Sequence, residues 1–140
     1  MTLSRPVRVA IFSAVMIMCA ATGNAVMDCL WTRFDRSVFA QFENHRSWLD
    51  PRISWKNKWK DGDSNHGEAF FLSSTTLVPL TDAWHCFKFL TILFLTLAIL
   101  APFTLLFRLS WPACLGILLG LHLLYGVVFE SLYAHFLIIR

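Results

Sequence analysis

Charge is scarce in this chain. Only 15% of its 140 residues are Asp, Glu, Lys or Arg, against ~25% in water-soluble domains, so an ordinary soluble globular domain is excluded. Glycine and proline are also few, 6 and 5 residues, and follow no period, which excludes collagen-like sequence and low-complexity disorder. Four cysteines are too few for a disulfide-dense mini-protein. No P-loop, G-x-S-x-G, G-x-G-x-x-G, H-E-x-x-H, C-x-x-C or N-x-[ST] occurs, so no established catalytic, cofactor or glycosylation motif is present. What the chain has in abundance is apolar surface: 56% hydrophobic residues and a mean hydropathy of +0.57, with a net charge of +3. That combination points to a membrane.

Charged residues bound three uncharged runs, at 9–27, 89–107 and 109–129. A hydrocarbon core ~30 Å thick needs ~20 apolar residues at ~1.5 Å each, so each run is long enough to cross once. The expected fold is all-α and polytopic. Its three transmembrane helices cover about residues 9–29, 81–107 and 112–136, with a polar, aromatic-rich loop over 30–80. Pro102 is placed to kink the second helix. Arg108-Leu-Ser-Trp-Pro112 reads as a tight turn into the third, with Ser110 as cap, Pro112 in the first turn and Trp111 at headgroup level.

The first run has two readings. Arg5 and Arg8, an apolar stretch to Met18, and small residues at 19–21 fit a cleaved secretory signal. The apolar character that continues through Ala25-Val-Met27, with Trp31 as an interfacial anchor, favours a retained helix. Of the 12 Lys and Arg residues, Arg33, Arg36, Arg46, Arg52, Lys56, Lys58, Lys60, Lys88 and Arg140 lie on one side of this topology, and Arg5, Arg8 and Arg108 on the other. The positive-inside tendency therefore predicts a cytoplasmic loop and C-terminus in a cell inner membrane. A cleaved signal would put the loop outside.

Within the loop, Trp55-Lys-Asn-Lys-Trp59-Lys60 spaces two indoles, and Lys56 and Lys60, four residues apart. On a short helix over 53–60 the indoles would rest in the interface while the lysines meet lipid phosphates. Nucleic-acid binding is not expected of a chain committed to lipid. Asp61 to Glu68 imitates the opening of a calcium loop, but His66 stands where the sharp turn needs Gly and Leu72 where the last ligand needs Glu, so a solvated turn is expected. The apolar, hydroxyl-rich stretch 70–80 is too short to span, and Pro79 and Thr81 offer a start for the second helix.

Reading depth along the helices puts Asp28, Cys29, Asp82, His85, Cys86, Lys88, Glu130, Tyr133 and His135 in one layer on the loop side. Asp82 and His85, three apart, share a helical face. They could act as an acid–base pair, or ligate a metal with Asp28 and Glu130. The bland alternative has the same groups capping helix ends and pairing with Lys88. Cys29 and Cys86 lie at matched depth and could pair only on an oxidising side. On the third helix Gly116, Gly120, Leu123, Val127, Glu130 and Ala134 form a small-residue packing stripe, and His122, Gly126, Phe129 and Tyr133 begin a second. A mid-span His122 needs a partner: its own helix or bundle, another subunit met with Tyr125, or a cofactor, although haem has no second axial histidine at that depth.

The segments Ile53-Ser-Trp-Lys-Asn-Lys-Trp-Lys60, Ser73-Ser-Thr75 and Thr81-Asp-Ala-Trp-His85 resemble a pattern in small, uncharacterised bacterial integral membrane proteins. The resemblance implies a bacterial inner-membrane setting and carries no activity or cofactor. The expected role is a membrane scaffold or accessory subunit, homo-oligomeric or bound to a larger membrane partner through the third helix and the aromatic-basic collar around Trp55–Lys60. The alternatives are a metal-dependent or acid–base membrane enzyme and an oligomeric ion pathway.

Overall fold

The computed structural model describes residues 3–131, with side chains through Val128. The order is α1 (Arg5–Arg33), single-turn helices α2 (Arg46–Leu49) and α3 (Pro51–Ser54), then α4 (Ala83–Phe107) and α5 (Trp111–Ser131), with 3₁₀ turns between α1 and α4. Among the described residues there is no strand, only one isolated antiparallel bridge between Trp59 and Glu68. The most apolar windows of α1, α4 and α5 have mean hydropathies of 1.9, 2.4 and 1.8, yet only 11%, 11% and 0% of their residues are buried. Helices this long and greasy that the protein leaves uncovered require hydrocarbon around them. The chain is a multi-pass membrane protein. Glu130's side chain, and Tyr133, Ala134, His135 and Arg140, lie outside the described residues.

The chain divides into two compact units, Met1–Met18 with Ile92–Arg140, and Cys19–Thr91. In the first, α4 runs on through Pro102. Proline has no N–H, so the carbonyl four residues back, at Ala98, loses its helical donor. Ser13 Oγ of α1 donates to that same Ala98 carbonyl at 2.9 Å. The donor that proline removes is thus replaced by a hydroxyl on another helix. Where α4 ends, Arg108 takes a left-handed conformation, φ 50°. The first backbone bond of α5 follows, from the Cys114 N–H to the Ser110 carbonyl at 3.0 Å, with Pro112 in the first turn, where no donor is needed.

In the second unit, Ala20, Gly23 and Leu30 are the buried residues of α1. A Cβ on Gly23 would lie 2.5 Å from Thr91 Oγ1 and 3.4 Å from the Phe87 carbonyl, so α4 approaches here because there is no side chain. Below this contact Leu30, Phe34, Leu49 and Ala83 form a core, with Val26, Phe39, Ala40 and Phe87 packed against it. The short turns of the loop are therefore anchored to the end of α1 and the start of α4.

The expected helix over 53–60 is not continuous. Turns run from Pro51 to Lys58, but Trp59 is extended, φ −112° and ψ 144°, and Asp61 is left-handed at φ 54°. The Lys60 N–H to Gly67 carbonyl bond (3.0 Å) and the Ala69 N–H to Lys58 carbonyl bond (3.0 Å) redirect the backbone into a small closed loop. These two bonds cannot form if Trp59 stays helical. The second long helix starts at Ala83, after Asp82, rather than at Pro79 or Thr81, and Pro79 sits in a preceding 3₁₀ turn.

The Ser13 contact can be isolated by a mutant cycle. Ser13→Ala leaves the Ala98 carbonyl without a donor and is expected to cost ~0.5–2 kcal/mol. Pro102→Ala restores the helical N–H, so the double variant should lose less stability than Ser13→Ala alone. Reversible unfolding in detergent micelles measures all three; strict additivity would exclude the coupling.

Candidate functional site

The polar groups of Cys19–Thr91 cluster around the start of α4. Asp82, 2% exposed, occupies the N-cap. Its Oδ1 accepts the His85 backbone N–H at 2.9 Å, and its Oδ2 lies 2.7 Å from His85 Nδ1. An ionised carboxylate only accepts, so Nδ1 carries a proton and donates it to Oδ2. Thr81 Oγ1 stands 3.0 Å from the same Oδ2 and 2.8 Å from the Val78 carbonyl; with one proton it serves one of them at a time. The D-x-x-H spacing is thereby a helix cap in which the third residue's backbone and ring both return to the capping carboxylate.

His85 meets the Trp84 ring edge-on at 5.1 Å, Trp84 lies 6.3 Å from Trp31, and Lys88 Nζ sits 5.2 Å from the Trp84 ring centre. Lys88 thus has an aromatic face beside it. The Asn57 amide donates to the Thr81 carbonyl at 2.9 Å and the Ser47 carbonyl at 2.8 Å, tying this cap to α2.

Next to it stands a network that the sequence reading did not identify. Arg52 donates to Asp35 through both terminal nitrogens, at 2.7 and 2.8 Å, and to Asp50 through Nε and Nη2, both at 2.8 Å. Arg46 Nε adds a bond to Asp50 at 3.3 Å. Both guanidinium groups lie over the Phe34 ring, 5.8 and 5.6 Å from its centre. Arg52 holds the Asp50 carboxyl below the usual range, outweighing the burial that pushes it up, and Asp50 followed by Asp35 raises the Arg52 guanidinium above its own. The spacing Arg46-x-x-x-Asp50 was a readable i,i+4 signal; the Asp35 contact, 17 residues from Arg52, had no local one.

Glu68 plays a similar part in the loop. Its carboxylate accepts the Leu72 N–H at 3.0 Å, the Ser74 N–H at 3.1 Å and the Ser74 hydroxyl. The Ser74 bonds lead in holding Glu68 below its ordinary range. Buried Ser73 donates to the Lys58 carbonyl at 2.7 Å. The calcium-like stretch is closed on itself: Asp63 Oδ1 accepts from the Asn65 N–H at 2.9 Å and from its amide at 3.0 Å. Lys56 Nζ stands 5.8 Å from the Trp55 ring centre, and Lys58 Nζ 5.7 Å from that of Trp59; Lys60 makes neither contact. Trp31, Trp55 and Trp111 are exposed.

The proposed metal set is not assembled by the described residues, among which no three His, Cys, Asp or Glu converge on one point. Asp28 is exposed and engages Asn24 of its own helix at 3.4 Å. All four cysteines are free, so Cys29 and Cys86 are not joined. The pair Asp82–His85 remains as a carboxylate-oriented imidazole, which is competent for proton transfer at Nε2.

On α5, His122 Nδ1 donates to the Leu118 carbonyl at 3.0 Å, one turn back. One ring nitrogen of this mid-span imidazole therefore meets its own backbone turn, one of the three partners considered for it. Gly116 and Gly120 face open space, with no atom within 4 Å of an added Cβ, and Tyr125 is exposed.

Two outcomes follow for stability. Asp82→Ala removes the cap and is expected to cost ~1–2 kcal/mol, with Asp82→Asn retaining most of it, in thermal unfolding. Asp50 has a lowered folded pKa, so its contribution is complete above the unfolded value of ~3.9 and fades as pH falls from there through the folded value. Acid titration of loop tryptophan fluorescence should show this loss, and Arg52→Gln should remove it from the profile. The chain matches no protein-family model, no curated protein and no solved structure.

Proposed function

We propose that the protein is a small scaffold or accessory subunit of a bacterial inner membrane, bound through α5 to a larger membrane partner or to a second copy of itself. The observation that carries this reading is the uncovered state of α5. None of its apolar window is buried, and Gly116 and Gly120 offer a notch where another helix backbone could approach. Lipid alone gains nothing from such a notch, since hydrocarbon packs as well against Leu as against Gly; a helix gains close contact. The lysines of the loop support a cytoplasmic side for residues 30–80, by the positive-inside tendency. The acid–base alternative rests on the Asp82–His85 pair, for which capping is a sufficient account.

Native-detergent purification with mass measurement tests the reading. The expected species exceeds the 16.1 kDa of a single chain. Gly116→Leu with Gly120→Leu should return it to a monomer while helicity is kept. A wild-type monomer, in detergent and after crosslinking in the membrane, would overturn it.

A further inference from the structure

The unit formed by Met1–Met18 and Ile92–Arg140 has an open, groove-like cavity of about 470 Å³ between α1, α4 and α5. That lies within the ~300–1,000 Å³ typical of small-molecule sites. Its walls come from two matched stripes: residues 5, 8, 9 and 12 of α1, and residues 97, 100, 101 and 104 of α4. Each follows the i, i+3, i+4, i+7 spacing of a single helical face.

The polarity of the cavity is graded. Ser13 Oγ and the Ala98 carbonyl fix one common level of α1 and α4. From that level Arg5 lies about eight residues, ~12 Å, toward the start of α1, and Thr104 about six residues, ~9 Å, toward the end of α4. Phe12, Leu97 and Leu100 line the cavity close to the Ser13 level, with the two guanidinium groups at the far end. Among the described residues no acidic residue lines it. Among the described residues no ion pair engages Arg5 or Arg8, whereas Arg46 and Arg52 are paired in every case. The only acidic residue in this unit's sequence is Glu130, more than four helical turns and ~24 Å along α5 from the cavity-lining Cys114.

We infer that this cavity is a binding site for a phosphate-headed anionic lipid, its headgroup held by Arg5 and Arg8 and one acyl chain laid against Phe12, Leu97 and Leu100. Two cations with no ion pair among the described residues call for an anion, and guanidinium forks match phosphate oxygens. The apolar wall that continues from them calls for a chain attached to that anion. A free phosphate satisfies the first requirement only. The inference rests on the membrane placement of the helices and is independent of the scaffold reading, since it uses no residue of the Gly116/Gly120 notch.

The test uses the full chain, delipidated and reconstituted in nanodiscs of phosphatidylglycerol or phosphatidylcholine, followed by native mass spectrometry of retained lipid. Wild type is expected to retain phosphatidylglycerol over phosphatidylcholine by roughly ten- to thirtyfold, about three- to fivefold per arginine. Arg5→Gln with Arg8→Gln should bring the ratio close to one. Ala101→Trp, which fills the cavity and keeps both charges, should lower retention of phosphatidylglycerol as well. A readout on the unmodified protein guards against misfolded variants: alkylation of Cys114, mapped by peptide mass, should be slower in phosphatidylglycerol than in phosphatidylcholine. Equal retention of the two lipids, unaltered selectivity in the folded arginine variant, or Cys114 alkylation at the same rate in both lipids would overturn the inference. Displacement of the lipid by millimolar inorganic phosphate would overturn it in favour of a free-anion site.

Discussion

In hydrocarbon a backbone carbonyl has no water to fall back on, and this is the constraint from which the rest of the membrane part follows. Long uninterrupted helices satisfy it almost everywhere in α1, α4 and α5. One exception is Ala98, stripped of its helical donor by Pro102 and given another by Ser13. A proline that elsewhere would only weaken a helix here creates a polar point of attachment between two helices. On α5, His122 Nδ1 likewise turns to a carbonyl of its own helix.

Outside the apolar windows the problem is reversed. Water is available, so the loop does not have to fold unless something makes order cheaper than freedom. Two devices supply that. Phe34 and Leu49 enter the core beside Leu30 and Ala83, and carboxylates organise the backbone around them: Asp50 over α3, Glu68 over the turn at 72–74, and Asp82 over α4. Arg46 and Arg52 balance Asp35 and Asp50 charge for charge, so burial of Asp50 does not leave a bare anion.

The large features were legible because they come from composition and length. The uncharged runs at 9–27, 89–107 and 109–129 were sufficient to locate all three long helices, and Ser110 and Pro112 marked the start of the third. The short spacing between Asp82 and His85 also proved to be a contact, because three residues on a helix are neighbours whatever the tertiary fold. What escaped were matters of long-range geometry. The Trp55/Trp59 spacing suggested one helix, but backbone bonds to Gly67 and Ala69 redirect the chain at Trp59. Arg52 finds Asp35 only once the loop has folded back. The close approach at Gly23 had a faint signature, small and apolar residues at 20, 23, 26, 30 and 34 in steps of three and four, weaker than the G-x-x-x-G spacing of Gly116 and Gly120.

The turn between α4 and α5 has a topological corollary. Only residues 108–110 separate the two helices, and three extended residues reach ~10 Å, a third of the hydrocarbon thickness of ~30 Å. The end of α4 and the start of α5 must therefore share a leaflet. Biogenesis would handle the pair as a single helical hairpin, and lengthening that turn by one or two residues could not separate their fates.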